Sequence, residues 1–118
     1  MKPLKCIIVE DEPEFIEILQ FLLSKIEGIE IVGAYGDTVN AAIQIEKRKP
    51  DFIFLDINIS GLEGPEFVEV LDHKPKIIVI SAHTEGFMKH YPEVPYVDFV
   101  QKPPTLQRLK EAIAKCQF

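Results

Sequence analysis

Residues 51–57 read DFIFLDI, a continuous apolar run that ends in an acid instead of alternating between apolar and polar positions. A strand of that kind must be covered on both faces, which points to a parallel sheet with helices on either side. The rest of the chain supplies matching parts. Residues 4–9 (LKCIIV), 29–34, 76–81 (KIIVIS) and 96–100 are further short runs rich in β-branched residues. The stretches between them have helical character. Phe15, Ile18, Leu19, Leu22, Leu23 and Ile26 recur at three- and four-residue steps behind Pro13, with Gly28 as the expected stop. Asp37 or Thr38 begins a second helix whose inward residues are expected to be Val39, Ala42 and Ile43, with Ile45 a further candidate, and Pro50 ends it. Gly64-Pro65 opens a third, carrying Phe67, Val68 and Leu71. A short irregular helix is expected near residues 85–91, closed by Pro92 and Pro95. A last helix shows Leu106, Leu109, Ala112, Ile113 and Cys116 on one side.

Five such alternations predict an α/β chain: a doubly wound, flavodoxin-like (βα)5 fold with strand order 2-1-3-4-5 and right-handed crossovers. Its 118 residues suit one domain over 1–118, with no linker, repeat or change of composition. The net charge of -6 leaves no basic stripe for neutralising phosphates, so direct nucleic-acid binding by this segment is not expected. There is no apolar run long enough for a membrane span and no signal-peptide pattern. Cys6 and Cys116 lack motif spacing and read as reduced packing thiols of a cytoplasmic protein. His73, His83 and His90 lack metal-ligand spacing; His73 and His90 read as surface residues, His73 at a helix end.

In a fold of this type, ligands gather at the carboxyl ends of the strands. The first strand finishes in Glu10-Asp11-Glu12, the third in Asp56 and the fourth in Ser81, while Lys102 follows the fifth. Glu10, Asp11 and Asp56 crowding one crevice repel each other unless a cation joins them. A hard divalent ion with oxygen ligands fits, and magnesium suits a site with few carboxylates and a phosphate ligand. Asp56 beside such an ion can attack phosphorus and form an acyl phosphate, with Lys102 and the Ser81 hydroxyl receiving phosphoryl oxygens. Each part alone has a bland reading. An acidic pair is usually a solvated loop, a strand-end Asp or Ser a turn residue, and a Lys before proline a surface cation. The case rests on their joint placement.

With those residues in view, the chain from Lys5 to about Lys115 resembles the receiver domain of two-component response regulators. The stretches that carry the resemblance are IIVEDEP (7–13), KPDFIFLDINISGLEG (49–64), IIVISAH (77–83) and VDFVQKP (97–103). The resemblance implies that Asp56 is the phosphoacceptor. It implies that Glu10, Asp11, Asp56 and the Asn58 backbone carbonyl hold Mg2+ or Mn2+. Ser81 and Phe99 take the switch positions, Lys102 is the phosphoryl-binding lysine, and Asn58 and His83 tune dephosphorylation. The phosphoryl donor is a phosphohistidine on a sensor histidine kinase or phosphotransfer protein, and activation can include homodimerisation. VDFVQKP followed by LQRLKEAI is most similar to the LytTR-type subgroup, whose members carry a C-terminal DNA-binding domain. The chain thus reads as either an excised domain, the favoured reading, or a stand-alone receiver, controlling an output such as transcription and not an enzyme in the ordinary sense.

Four departures qualify the match. Glu10 replaces a commoner Asp, and Ser60 stands where proline is usual. Asn58 and His83 leave the phosphorylated lifetime open, and Gly86, Pro92 and Pro95 make the fourth helix irregular. Three other readings stand beside this one. A pseudo-receiver would only bind proteins, yet every chemical member of the site is present. A small-molecule phosphohydrolase tends to need a second Asp two residues after the nucleophile, where this chain has Asn58. A flavin site would set the cofactor phosphate against the carboxylates.

Overall fold

The computed structural model describes residues 2–57, 64–92 and 94–117. Among these residues, five strands, β1 (Leu4–Val9), β2 (Ile29–Tyr35), β3 (Phe52–Asp56), β4 (Lys76–Ser81) and β5 (Tyr96–Gln101), form one parallel sheet in the order β2-β1-β3-β4-β5. Among the described residues, four α-helices alternate with them: α1 (Pro13–Leu23), α2 (Thr38–Arg48), α3 (Gly64–Glu69) and α4 (Leu106–Ala114). A 3-10 helix, Glu85–His90, takes the place of a fourth crossover α-helix, as expected where Gly86 and the two following prolines work against a longer one. The doubly wound arrangement expected from the sequence is present.

Strand pleating sorts the core into two layers. Cys6, Ile8, Phe52, Phe54, Ile78, Ile80 and Val100 face Phe15, Leu19 and Leu23 of α1 and Leu109, Ala112, Ile113 and Cys116 at α4. Ile7, Val9, Ile53, Leu55, Val79 and Phe99 point the other way, toward Ala41, Ile45, Phe67, Leu71, Met88 and Val94. β3 is buried throughout, which explains its unbroken apolar run. Both cysteines are free and buried in the first layer; burial pushes the Cys6 thiol up to about 12 and the Cys116 thiol up to about 11.

The helix faces depart from expectation in three places. α1 stops at Leu23, and Gly28, with φ +83°, instead serves the entry to β2, where its carbonyl accepts from Leu4 N–H at 2.8 Å. Ile18 lies outside the buried stripe of Phe15, Leu19 and Leu23. In α2, Asp37 is the cap, accepting from Asn40 N–H at 2.8 Å, but the inward stripe is Thr38, Ala41 and Ile45. Val39 and Ile43 are 52% and 47% exposed. Ala41 and Ile45 join the core layer of Ile7, Val9 and Ile53, and Ala42 packs only partly against it. His73 is also less exposed than expected. Its N–H donates to Glu46 and its ring Nε2 lies 2.7 Å from the Pro50 carbonyl, tying the β4 entry to α2. His90 is at the surface as expected.

Candidate functional site

Register brings the site together. Val9 pairs with Leu55, so Glu10 comes level with Asp56; Asp56 pairs with Ile80, and Ser81 with Gln101, just before Lys102. Glu10, Asp56 and Lys102 each lie two residues beyond Ile8, Phe54 and Val100, so they continue the face that packs on α1 and α4. Ser81 continues the opposite face, two residues beyond Val79, and Val79 is the partner of Phe99. The pleat thus separates the charged groups from the hydroxyl and aromatic pair while keeping them at one sheet edge.

Lys102 is the centre of charge. Its Nζ lies 2.9 Å from Glu10 Oε1, 3.0 Å from Glu12 Oε1 and 3.5 Å from Asp56 Oδ2, and 4.3 Å from the centroid of the Phe15 ring. Burial alone would lower its affinity for a proton, but the hydrogen bonds and charges of Glu10, Glu12 and Asp56 outweigh this, and the ammonium is held above its ordinary range. Its backbone N–H donates to the Ser81 carbonyl at 2.7 Å, fixing the loop after β5 against β4.

Glu10 is fully buried. Its Oε2 accepts from Glu12 N–H at 3.1 Å, whereas Oε1 faces the Lys102 ammonium at 2.9 Å and meets no other donor among the described residues. Burial raises its carboxyl to about 7 and the nearby Asp56 charge adds to this, against the opposing pull of Lys102 and Glu12 N–H. Carboxylate oxygens of Glu10, Asp11 and Asp56 all lie within 4.8 Å of one another, with Asp11 exposed and the other two buried. Three carboxylates converging this closely, two of them buried, form the all-oxygen donor set that a hard divalent cation satisfies, so these residues fit such an ion. Asn58, expected to add a carbonyl and to tune dephosphorylation, lies outside the described residues, as does Ser60.

Ser81 is fully buried, and its Oγ accepts from His83 N–H at 3.0 Å. The His83 side chain is exposed at the site rim and stacks on Phe87, with centroids 4.1 Å apart and planes 6° from parallel. Phe99 is buried beneath the 3-10 helix with Met88 and Val94.

The family model described as response regulator receiver domain matches residues 6–114. The chain belongs to that family. The receiver is 37% identical over 112 residues to the transcriptional regulatory protein BtsR of Salmonella typhi, covering 93% of this chain and 46% of that protein. It is 30% identical over 115 residues to the sensory transduction protein LytT of Bacillus anthracis, covering 95% and 46%. These relatives agree with the LytTR-type resemblance, and the receiver spans about half the length of the curated relatives it matches. Among solved structures, the response regulatory domain of protein mrkE from Klebsiella pneumoniae matches with TM-score 0.79 at 33% identity, covering 95% of this chain and 93% of that one. The signal receiver domain of the response regulator NarL from Mycobacterium tuberculosis, at 22% identity, shares the fold with TM-score 0.86 over 98% and 97%. No helix among the described residues is long and apolar enough to cross a membrane.

The sequence places Glu10, Asp11, Asp56, Ser81 and Lys102 at one edge; there Glu10, Asp11, Asp56 and Lys102 come together, while the Ser81 hydroxyl lies on the other sheet face, held by His83 N–H. Sequence reasoning passed over three contacts of the receiver: Glu12 on Lys102, the Phe15 ring beside Lys102, and Arg108, which joins α4 to β5. The last had a faint signal in an acid inside the apolar run of β5, since a buried Asp98 needs a partner.

Proposed function

We propose that Asp56 accepts a phosphoryl group from a phosphohistidine of a sensor histidine kinase or phosphotransfer protein, in the cytoplasm, and that the receiver then changes shape to control an output, transcription in the first instance. The observation that carries this reading is the convergence of Lys102 on Glu10 and Asp56 at the strand ends. A carboxylate oxygen of Asp56 forms the new bond to phosphorus as the bond from phosphorus to the donor imidazole nitrogen breaks, its electron pair staying on that nitrogen. Lys102 neutralises one equatorial oxygen of the moving group, and the Ser81 hydroxyl donates to another. Glu10, Asp11 and Asp56, with the Asn58 carbonyl, would hold the divalent ion. Magnesium or manganese, when bound, supplies further charge neutralisation at the phosphoryl group.

Phosphorylation adds roughly 1.5 to 2 negative charges. Drawing the Ser81 hydroxyl toward them means giving up its bond from His83 N–H, which loosens the segment leading into the 3-10 helix. Phe99, on the same sheet face as Ser81, repacks into the space released. Such a coupled, two-state change joins the site to the β5 and α4 surface, where an output domain or a second copy of the receiver would read it. His83 and Asn58 then govern water access and the lifetime of the phosphorylated form.

The test is a titration with beryllofluoride, a phosphoryl mimic, followed by amide NMR with and without magnesium. Magnesium-dependent shifts at residues 10–12, 56, 81 and 102, reaching Phe99, are expected. Absence of any magnesium-dependent change would favour a receiver fold that only binds proteins.

A further inference from the structure

Glu12 occupies the N-cap of α1, yet its side chain makes no capping hydrogen bond. Capping falls to short side chains because they reach back to the first turn, and Glu is too long for the role. The carboxylate is turned instead onto Lys102, 3.0 Å away, while remaining 63% exposed. Asp56 is the most distant of the three carboxylates around that ammonium, at 3.5 Å. The Phe15 ring, held by the core one turn into α1, lies on the same ammonium.

We propose that Glu12 is a positioning residue that holds Lys102 in a waiting position, and that Lys102 leaves it when a phosphoryl group arrives on Asp56. This rests on the phosphoacceptor reading above. Before phosphorylation, Lys102 shares its charge among Glu10, Glu12 and Asp56. A phosphoryl group brings more charge and more acceptor oxygens than the carboxylate it modifies, so the ammonium moves toward it. Glu10 is buried and fixed; Glu12 is exposed and can turn to water, so Glu12 is the contact that breaks at least cost. The side chain of Glu12 therefore competes with the phosphoryl group for the lysine and moderates how readily the site fills. Because Glu12 does not cap α1, its side chain can be altered without removing a helix-cap bond.

The experiment measures beryllofluoride affinity at saturating magnesium for the parent, Glu12→Gln and Glu14→Gln. Glu14 is exposed in the first turn of α1 and controls for the loss of one negative charge nearby. An exposed ion pair is weak, so Glu12→Gln should tighten beryllofluoride by about two- to five-fold. Glu14→Gln should change it by less than half as much. The Lys102 ammonium NMR resonance should shift between parent and Glu12→Gln in the free protein and coincide once beryllofluoride is bound. Unchanged or weaker affinity in Glu12→Gln, an equal gain in Glu14→Gln, or a Lys102 resonance indifferent to Glu12 would each overturn the proposal. If the parent itself fails to bind beryllofluoride with magnesium, the phosphoacceptor reading has failed instead.

Discussion

Arg108 grips Asp98 with two guanidinium nitrogens at 2.8 Å each, and one of those nitrogens also donates to the Phe99 carbonyl at 2.8 Å. Lys115 adds a contact to Asp98 at 3.2 Å. A planar fork of donors thereby locks α4 to the strand that carries the proposed switch aromatic, a geometry lysine cannot reproduce. Arg108→Lys should cost about 1–2 kcal/mol in urea unfolding, since a charged bidentate contact is lost while the position stays partly solvated.

The same pair sets an acid response. The Arg108 hydrogen bonds, against the cost of burial, lower the Asp98 carboxyl from its usual 3.8 to about 2. A carboxyl depressed in the folded state contributes stability above its ordinary value and loses it as pH falls through the folded one. Stability should therefore decline between pH 4 and 2. In Asp98→Asn that portion of the decline should vanish, as read by thermal unfolding across the range.

Removal of Lys102 should split metal binding from chemistry. Lys102→Ala takes a cation from among Glu10, Glu12 and Asp56, so magnesium should bind more tightly. Acetyl phosphate should react more slowly by about 100-fold or more, the scale on which single charge-stabilising donors act. Magnesium-titrated fluorescence or NMR and the rate of adduct formation report the two quantities separately.

Proton and metal should compete at Glu10. Its carboxyl is raised to about 7 by burial and by the Asp56 charge, so a proton occupies it increasingly as pH falls through that value. Magnesium affinity should weaken from pH 8 to pH 6, and Glu10→Gln should flatten that slope while binding magnesium weakly throughout. Isothermal titration in buffers of different ionisation enthalpy would show the accompanying proton release.

In α2, the small buried Ala41 and the exposed Ile43 have opposite tolerances. Ala41→Leu should cost about 1–3 kcal/mol by over-packing, whereas Ile43→Ala should stay within about 0.5 kcal/mol. Denaturant midpoints at constant m-value check both.

Strand identity was legible because a buried parallel sheet leaves short apolar runs that few other structures produce, and the strand-end acids, hydroxyl and lysine mark one edge once the order is known. Helix faces were less legible. Val39 and Ile43 are as apolar as a core residue, and only the proximity of the sheet selects the stripe containing Ala41. Contacts between distant residues were the least legible. Nothing in the spacing of Glu12 and Lys102, or of Phe15 and Lys102, reports that α1 begins beside the loop after β5. His73 likewise reads as a surface residue until Glu46 and the Pro50 carbonyl are placed around it.

The most direct test is to incubate the receiver with acetyl phosphate, with magnesium or with a chelator, and map the adduct by peptide mass spectrometry. A single phosphoryl group on Asp56, dependent on magnesium, labile to alkali and absent in Asp56→Asn, is the predicted result. Modification elsewhere, or equal yield in chelator and in Asp56→Asn, would contradict the account.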